Sequence, residues 1–266
     1  MTDRYAVIGH PVAHSKSPWI HAEFARQTRQ DLNYGRIEAP LDGFARAADA
    51  FRAAGGRGAN ITLPFKREAC AYASRLTERA RIAQAVNTLR FDAAGALGDN
   101  TDGAGLVADL ERNLSCAVAG KRVLLLGAGG AARGVLQPLL ERGPAALRIA
   151  NRTASRAEAL AAQFRGVVGG GFRELAGESF DLLINATSAG MANEAPALPP
   201  GLFARGALAY EMVYGRDTPF LAMARGAGAA SVDGLGMLVE QAAEAFLLWR
   251  GVRPDTAPVL AALRMG

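Results

Sequence analysis

RVLLLGAGGAA, residues 122–132, decides the fold. Arg122–Leu126 is an apolar run of strand length, residues 127–132 spell G-x-G-x-x-A, and a helical pattern continues over Ala131–Arg142. Strand, glycine turn and helix in that order open a nucleotide-binding βαβ unit. Gly127 permits the tight turn, Gly129 lets backbone approach a pyrophosphate, and the small Ala132 allows close helix–strand packing. The helix start, with Ala128, Gly130 and Ala131 around it, offers free N–H groups and a positive dipole end to phosphates. A tight structural turn that binds nothing carries the same local signature.

The next strand, LRIAN at 147–151, bears on which nucleotide would bind. NAD sites usually place Asp or Glu about 20 residues after the glycines, on the ribose 2′-hydroxyl. Here that place reads Asn151-Arg152-Thr153, with Arg156 close behind and no carboxylate. Two arginines and a hydroxyl suit a 2′-phosphate, hence NADP. The other reading is a solvated helix start capped by Thr153. Ser155–Phe164 reads as a helix, FDLLINA at 180–186 as a strand, and Ala207–Val213 and Ser231–Val232 as further strands. The Pro-rich stretch 192–201 reads as an exposed loop.

Upstream runs a second series. Tyr5–Gly9, Gly58–Leu63 and Ala85–Leu89 read as buried strands, and Leu41–Ala54 and Leu76–Gln84 as helices. Ser17 reads as the N-cap of another helix, with Pro18 at its first position. Such alternation predicts a parallel sheet covered by helices on both faces. Asp102–Asn113 is a helical stretch placed to bridge two domains, and Met237–Trp249 and Thr256–Met265 are helices that can return to the first.

Length and composition agree with two modest domains: 266 residues, half apolar, 21% charged. Two cysteines, Cys70 and Cys116, are too few for a disulfide scaffold and fit a reducing, cytoplasmic compartment. No apolar run approaches the roughly 18 residues of a membrane span, and the first residues lack a signal-peptide layout. The net charge of +5 is scattered without a basic block, which argues against nucleic acid. Of 30 basic residues only Lys16, Lys66 and Lys121 are lysines. A retained lysine hints at work arginine cannot do, such as giving up a proton.

Polar residues gather at strand ends. Ser15 and Ser17 follow the first strand, where open α/β sheets bind ligands, though plain helix capping explains them equally. GANITLPFK at 58–66 places Asn60, Thr62 and Lys66 across the end of a strand, with Asn60 and Thr62 on one face. Asn87 sits in a run that otherwise looks buried, as a structural bridge or a ligand contact. Asp102 begins a helix, where capping or catalysis would both suit a carboxylate. Three histidines near the N-terminus and two distant cysteines make no metal cluster.

The blocks HSKSP (14–18), NITLPFK (60–66), AVNTL (85–89), GDNTDG (98–103), GAGGAARG (127–134), NRT (151–153), NATSAGM (185–191) and DGLGMLVEQAA (233–243) together resemble the shikimate dehydrogenase family. They span nearly the whole chain in family order. The resemblance implies an α/β fold of two domains with a cleft between them. One is a mixed α/β substrate domain of residues 1–103 and 238–266; the other is a Rossmann-type NADP-binding domain of residues 104–237. It implies NADPH-dependent reduction of 3-dehydroshikimate to shikimate in aromatic amino-acid biosynthesis. It implies no nucleic-acid or membrane partner, and a monomer or homodimer.

By the same resemblance Ser15, Ser17, Asn60, Thr62, Asn87, Asp102, Tyr214 and Gln241 would hold the substrate, with Lys66 and Asp102 as the catalytic pair. Gly127, Ala128, Gly129, Gly130, Ala131, Asn151, Arg152, Thr153 and Arg156 would hold NADP's phosphates and adenosine. Glu78, Thr187, Met212, Gly234 and Met237 would complete the cofactor site. Spacing alone favours Met237 as core and leaves Gln241 open as a solvated rim residue. Lys66 would protonate the developing alkoxide, and Asp102 would orient it. Two alternatives remain at this point: a shikimate/quinate dehydrogenase of relaxed cofactor choice, and a non-catalytic NADP-binding sensor. The absence of an acidic residue at 151–153 argues against the first, and the intact Lys66 and Asp102 argue against the second.

Overall fold

Strand and helix alternate along the chain in the computed structural model, which describes residues 2–187, 189 and 194–265. In order the elements are β1 (Asp3–Gly9), α1 (Ser17–Thr28), β2 (Leu32–Glu38), α2 (Phe44–Ala53), β3 (Gly56–Ile61), α3 (Lys66–Tyr72), β4 (Arg75–Leu76), α4 (Glu78–Ala83), β5 (Thr88–Asp92), β6 (Gly95–Asp99) and α5 (Asp102–Ala108). Then come β7 (Arg122–Leu126), α6 (Gly130–Leu140), β8 (Ala146–Asn151), α7 (Ala154–Ala161), β9 (Val167–Gly171), β10 (Phe180–Asn185), β11 (Phe203–Glu211), α8 (Pro219–Gly226), β12 (Ala230–Val232), α9 (Leu235–Arg250) and α10 (Ala257–Met265). Two compact units result, Met1–Leu106 with Leu238–Gly266, and Val107–Met237.

The second unit holds a parallel sheet in the order β12-β11-β10-β7-β8-β9. From β7 the chain winds outward through β8 to β9, then crosses back to add β10 on the opposite side of β7. The strand order therefore reverses between β7 and β10, and ligands of such sheets sit in the crevice beyond the strand ends at that point. Val123, Leu124, Leu125 and Leu126 are all fully buried. A parallel strand is covered on both faces, which explains a continuous apolar run without alternation. Fully burying each such leucine contributes about 1.5–3 kcal/mol.

The first unit departs from the all-parallel expectation. Its sheet runs β2-β1-β3-β5-β6-β4, and β5 is antiparallel to both β3 and β6. A short turn joins β5 directly to β6, so no crossover helix makes them parallel. Several boundaries also differ. Leu76 lies in β4 rather than in the following helix, and Ala85–Asn87 precede β5 rather than forming its start. Thr62 and Leu63 fall beyond the end of β3. β2, β6, α3, β9 and α8 were not anticipated. β2 mixes half-buried and exposed positions with none fully buried, giving it no apolar run to notice.

β1 is flanked by β2 on one side and β3 on the other, both parallel to it. The strand order thus reverses here too, between β1 and β3. Ser15 and Ser17 follow the carboxyl end of β1, while Thr62 and Lys66 follow that of β3.

Candidate functional site

Lys66 opens α3, and Asp102 opens α5. Lys66 was expected at a strand's end; it stands instead on a helix's first turn, where the positive dipole end disfavours a cation. Asp102 answers that. Lys66 Nζ donates to Asp102 Oδ2 at 2.6 Å, and the side chains are only 15% and 6% exposed.

The Asp102 carboxylate is held from behind. Asn87 Nδ2 donates to its Oδ1 at 2.8 Å, and its backbone N–H is taken by Asn100 Oδ1 at 3.1 Å. Asn87 is buried and its amide is heavily used. Nδ2 also donates to Thr101 Oγ1 at 2.9 Å and Gln241 Oε1 at 3.3 Å, while Oδ1 accepts from the Thr101 backbone N–H at 2.8 Å and the Thr88 hydroxyl at 2.9 Å. Gln241 is buried on α9 rather than solvated at its rim, with Nε2 donating to the Leu238 carbonyl at 2.8 Å. α9 comes this near because residue 105 is glycine. A Cβ there would lie 2.6 Å from that of Gln241.

Asn60 is buried on β3 and donates from Nδ2 to Thr88 Oγ1 at 3.0 Å, while its Oδ1 accepts from the Tyr34 hydroxyl at 2.7 Å. The Ser17 side chain lies near the Tyr34 hydroxyl and tends to lower its pKa, against the larger effect of burial. Ser17 is not the helix N-cap. Lys16 holds that place without a side-chain cap bond, and Ser15 Oγ accepts from the Ser17 backbone N–H at 3.3 Å. Arg36 secures the loop, donating from Nε and Nη2 to the Ser15 carbonyl at 3.2 and 2.6 Å. Thr62 is half-buried just past β3. One unit therefore brings together Asn60, Asn87, Asp102, Lys66 and Gln241 through shared hydrogen bonds, with Ser17 beside Tyr34 at its edge. Sequence reasoning missed Tyr34, Thr88 and Thr101. Thr101 stands inside GDNTDG and was open to notice; Tyr34 lay on an unanticipated strand.

Glu78 sits apart from this network. It is exposed on the first turn of α4 and pairs with Arg81, whose hydrogen bond lowers its carboxyl pKa.

In the second unit the glycine loop fits a bound dinucleotide. Gly127 has φ +108, and a Cβ there would lie 3.0 Å from the Ala186 carbonyl oxygen. At Gly129 a Cβ would meet nothing within 4 Å, so the space in front of the loop is open. Gly129 also occupies the N-cap of α6, which has no side-chain cap bond, leaving the first N–H groups for an anion. Ala128 and Ala131 are half-buried beside it. Thr187 follows β10, across the order reversal. Its methyl is 3.3 Å from that Gly127 Cβ position, and its hydroxyl donates to Asn185 Oδ1 at 2.7 Å.

At the end of β8, Asn151 Nδ2 donates to the Thr153 carbonyl at 2.9 Å. Thr153 is the N-cap residue of α7, yet its side chain makes no cap bond, so its hydroxyl stays available. Arg152 and Arg156 are exposed, and among the described residues neither forms an ion pair. Two guanidinium groups without an acidic partner beside a hydroxyl that makes no cap bond favour an anion over simple capping.

Met212 and Gly234 are neighbours: the Gly234 backbone N–H donates to the Val213 carbonyl at 3.2 Å. Glu211 braces this wall from inside. Its buried carboxylate accepts from Asn185 Nδ2 at 2.7 Å, Thr218 Oγ1 at 3.0 Å and the Val213 N–H at 3.2 Å, and burial raises its pKa. Tyr214 is half-buried on the turn after β11. Met237 is buried, only 6% exposed. Of the NATSAGM block, Ser188, Gly190 and Met191 lie outside the described residues, as do residues 192–193 of the Pro-rich stretch. Among the described residues no group of three or more His, Cys, Asp or Glu is placed to hold a metal ion, and no helix is long and apolar enough to cross a membrane.

Three family profiles match the chain: the shikimate dehydrogenase substrate binding domain over residues 7–89, shikimate / quinate 5-dehydrogenase over 109–192, and the shikimate 5′-dehydrogenase C-terminal domain over 234–264. The chain is 63% identical to the shikimate dehydrogenase (NADP(+)) of Aromatoleum aromaticum, over 98% of this chain and 97% of that one. Among solved structures it resembles an Ael1 enzyme from Pseudomonas putida (49% identity, TM-score 0.93, 98% of each chain). It also resembles shikimate 5-dehydrogenase from Thermus thermophilus in complex with NADP(H) and shikimate, at 36% identity and TM-score 0.87 over 99% of each chain.

Proposed function

The chain belongs to the shikimate dehydrogenase family, and from that premise we propose which of its residues carry the reaction. It is an NADP-dependent oxidoreductase that reversibly reduces 3-dehydroshikimate to shikimate, in aromatic amino-acid biosynthesis. The first unit is the substrate and catalytic domain, and the second is the NADP-binding domain.

When bound, NADPH supplies a hydride to the ring ketone. Lys66 performs the accompanying proton transfer: Nζ gives a proton to the carbonyl oxygen as it becomes an alkoxide, and takes one back in the oxidative direction. Asp102 holds the ammonium through Oδ2 and hydrogen-bonds the reacting hydroxyl. Asn87 keeps that carboxylate from turning. Ser15, Ser17, Asn60, Thr62, Gln241 and Tyr214 bind the hydroxyls and carboxylate of the substrate, whose ring carries little else to grip.

The loop 127–131 holds the pyrophosphate of NADP. Asn151, Arg152, Thr153 and Arg156 hold its adenosine and 2′-phosphate, and Thr187, Met212, Gly234 and Met237 line its nicotinamide end. Glu78 is the weakest member of the set, supported by family resemblance alone. A cytoplasmic protein, monomeric or homodimeric, with no nucleic-acid or membrane partner completes the reading. Two free cysteines support that compartment.

The observation that carries the assignment is the secluded Lys66–Asp102 pair at 2.6 Å, ringed by buried amides and hydroxyls. The test is spectrophotometric: purified protein with shikimate should reduce NADP. Absence of NADPH formation with a folded protein would remove the assignment.

A further inference from the structure

The polarity of the buried hydrogen bonds can be followed from one unambiguous donor. The Thr101 backbone N–H can only donate, so the Asn87 atom it meets at 2.8 Å is the amide oxygen. That oxygen also takes the Thr88 hydroxyl proton at 2.9 Å. Thr88 Oγ1 has then spent its proton and accepts from Asn60 at 3.0 Å, so the Asn60 atom facing it is Nδ2. Asn60 Oδ1 must therefore point the other way, where the Tyr34 hydroxyl donates to it at 2.7 Å. An amide otherwise free to flip by half a turn is fixed at both ends.

We propose that Tyr34 is a positioning residue for the substrate site: its hydroxyl locks the Asn60 amide so that a weakly bonded N–H, and not the carbonyl, is presented to a substrate oxygen. The proposal rests on the reading of Asn60 as a substrate contact. One of the two Asn60 N–H groups goes to Thr88 at 3.0 Å; the other makes only a long bond of 3.4 Å to the Asn87 carbonyl, and is the one a substrate oxygen can draw away.

The ring beneath is anchored for this purpose. Tyr34 stacks on His21 with centroids 4.2 Å apart and planes 6° from parallel, and His21 is fully buried. Burial lowers the His21 pKa to about 3, so the stack is between neutral rings at physiological pH. Burial likewise raises the Tyr34 pKa well above that of a free phenol, so its donor proton persists.

The test compares Tyr34→Phe with Tyr5→Phe by steady-state kinetics. Tyr5 belongs to the same aromatic cluster through Trp249, but its hydroxyl meets Arg250 and not Asn60. Tyr34→Phe should raise the Michaelis constant for shikimate about 3–20-fold, as expected for one hydrogen bond, with turnover and the constant for NADP changed less than about threefold. Tyr5→Phe should leave all three unchanged. In an Asn60→Ala background, Tyr34→Phe should add nothing, because the group it orients is gone. An unchanged Michaelis constant in Tyr34→Phe, or the same increase with and without Asn60, overturns the proposal while an active wild type keeps the assigned reaction. A wild type that cannot oxidise shikimate overturns both.

Discussion

Lys66 and Asp102 face each other across 2.6 Å from the first turns of two different helices, α3 and α5. For stability alone the arrangement is poor. A secluded ion pair recovers its desolvation cost only with ideal geometry, and a lysine at a helix N-terminus opposes the dipole. The chain nevertheless aligns four further side chains behind the carboxylate: Asn87, Asn100, Thr101 and Gln241. The ordering concentrates on one carboxylate oxygen and one ammonium, as a proton-transfer site requires.

Replacing Lys66 with Met keeps much of the stem's apolar volume and removes the proton carrier. Turnover should fall about 10²–10⁴-fold, while the Michaelis constant for shikimate changes only severalfold. Lys66→Arg should not rescue, since guanidinium keeps its charge but barely releases a proton. Steady-state kinetics on folded variants decides this. Near-native turnover in the Arg variant would make Lys66 a binding charge instead.

The two loop glycines should respond differently to alanine. Gly127 has φ +108 and a carbonyl oxygen 3.0 Å from any Cβ, so Gly127→Ala should lower stability by about 1–3 kcal/mol. Gly129 has open space in front of it, so Gly129→Ala should melt like the wild type yet bind NADP more weakly. Calorimetric titration with NADP and thermal melts separate the two effects. Undiminished NADP affinity in Gly129→Ala would mean that the phosphates lie elsewhere.

What could be read in advance follows from where the information lies along the chain. The β7–α6 loop is contiguous, and its strand is buried on both faces, so pattern and structure coincide there. β2 is an edge strand with mixed exposure, and its partner contacts come from β1, many residues away. Its key residue, Tyr34, therefore had no local signature. The antiparallel β5–β6 hairpin escaped because GAL at 95–97 is short and glycine-led, and the series around it suggested crossovers. Asn87 was legible as a buried amide needing partners. Its partners were not, because one of them, Gln241, arrives from the far end of the chain.

Asp99 should matter to acid stability. Burial pushes its carboxyl pKa up, but Arg79 at 2.7 and 2.5 Å, the Thr77 hydroxyl and the Asn100 N–H outweigh this and hold it below 3.8. A depressed folded-state pKa stabilises above the unfolded value and loses that contribution as pH falls through the folded one. Asp99→Asn should therefore cost about 2–4 kcal/mol at pH 7, the lower part of the range reflecting the partial exposure of Arg79. The deficit should shrink below about pH 4. Urea unfolding at the two pH values measures it, and an equal deficit at both would remove the ion pair as its cause.

Arg152 should set the choice of cofactor. It stands where an NAD enzyme places a ribose-binding carboxylate, and neither it nor Arg156 is committed to an acidic partner among the described residues. The Thr153 hydroxyl beside them makes no cap bond. NADP differs from NAD only by the 2′-phosphate, so a contact to that group changes one cofactor and leaves the other. Loss of one charge-assisted bond is worth about 1.5–3 kcal/mol, or roughly 10–150-fold. Arg152→Ala should raise the Michaelis constant for NADP by that factor and hardly change the constant for NAD. Because the side chain is exposed, melting should be unaffected, and high salt should narrow the gap between the cofactors. Arg156 offers a second cation, so the double variant should lose more than either single one. Equal effects of Arg152→Ala on both cofactors, or a wild type that uses NAD more efficiently, would show that this surface does not read the phosphate.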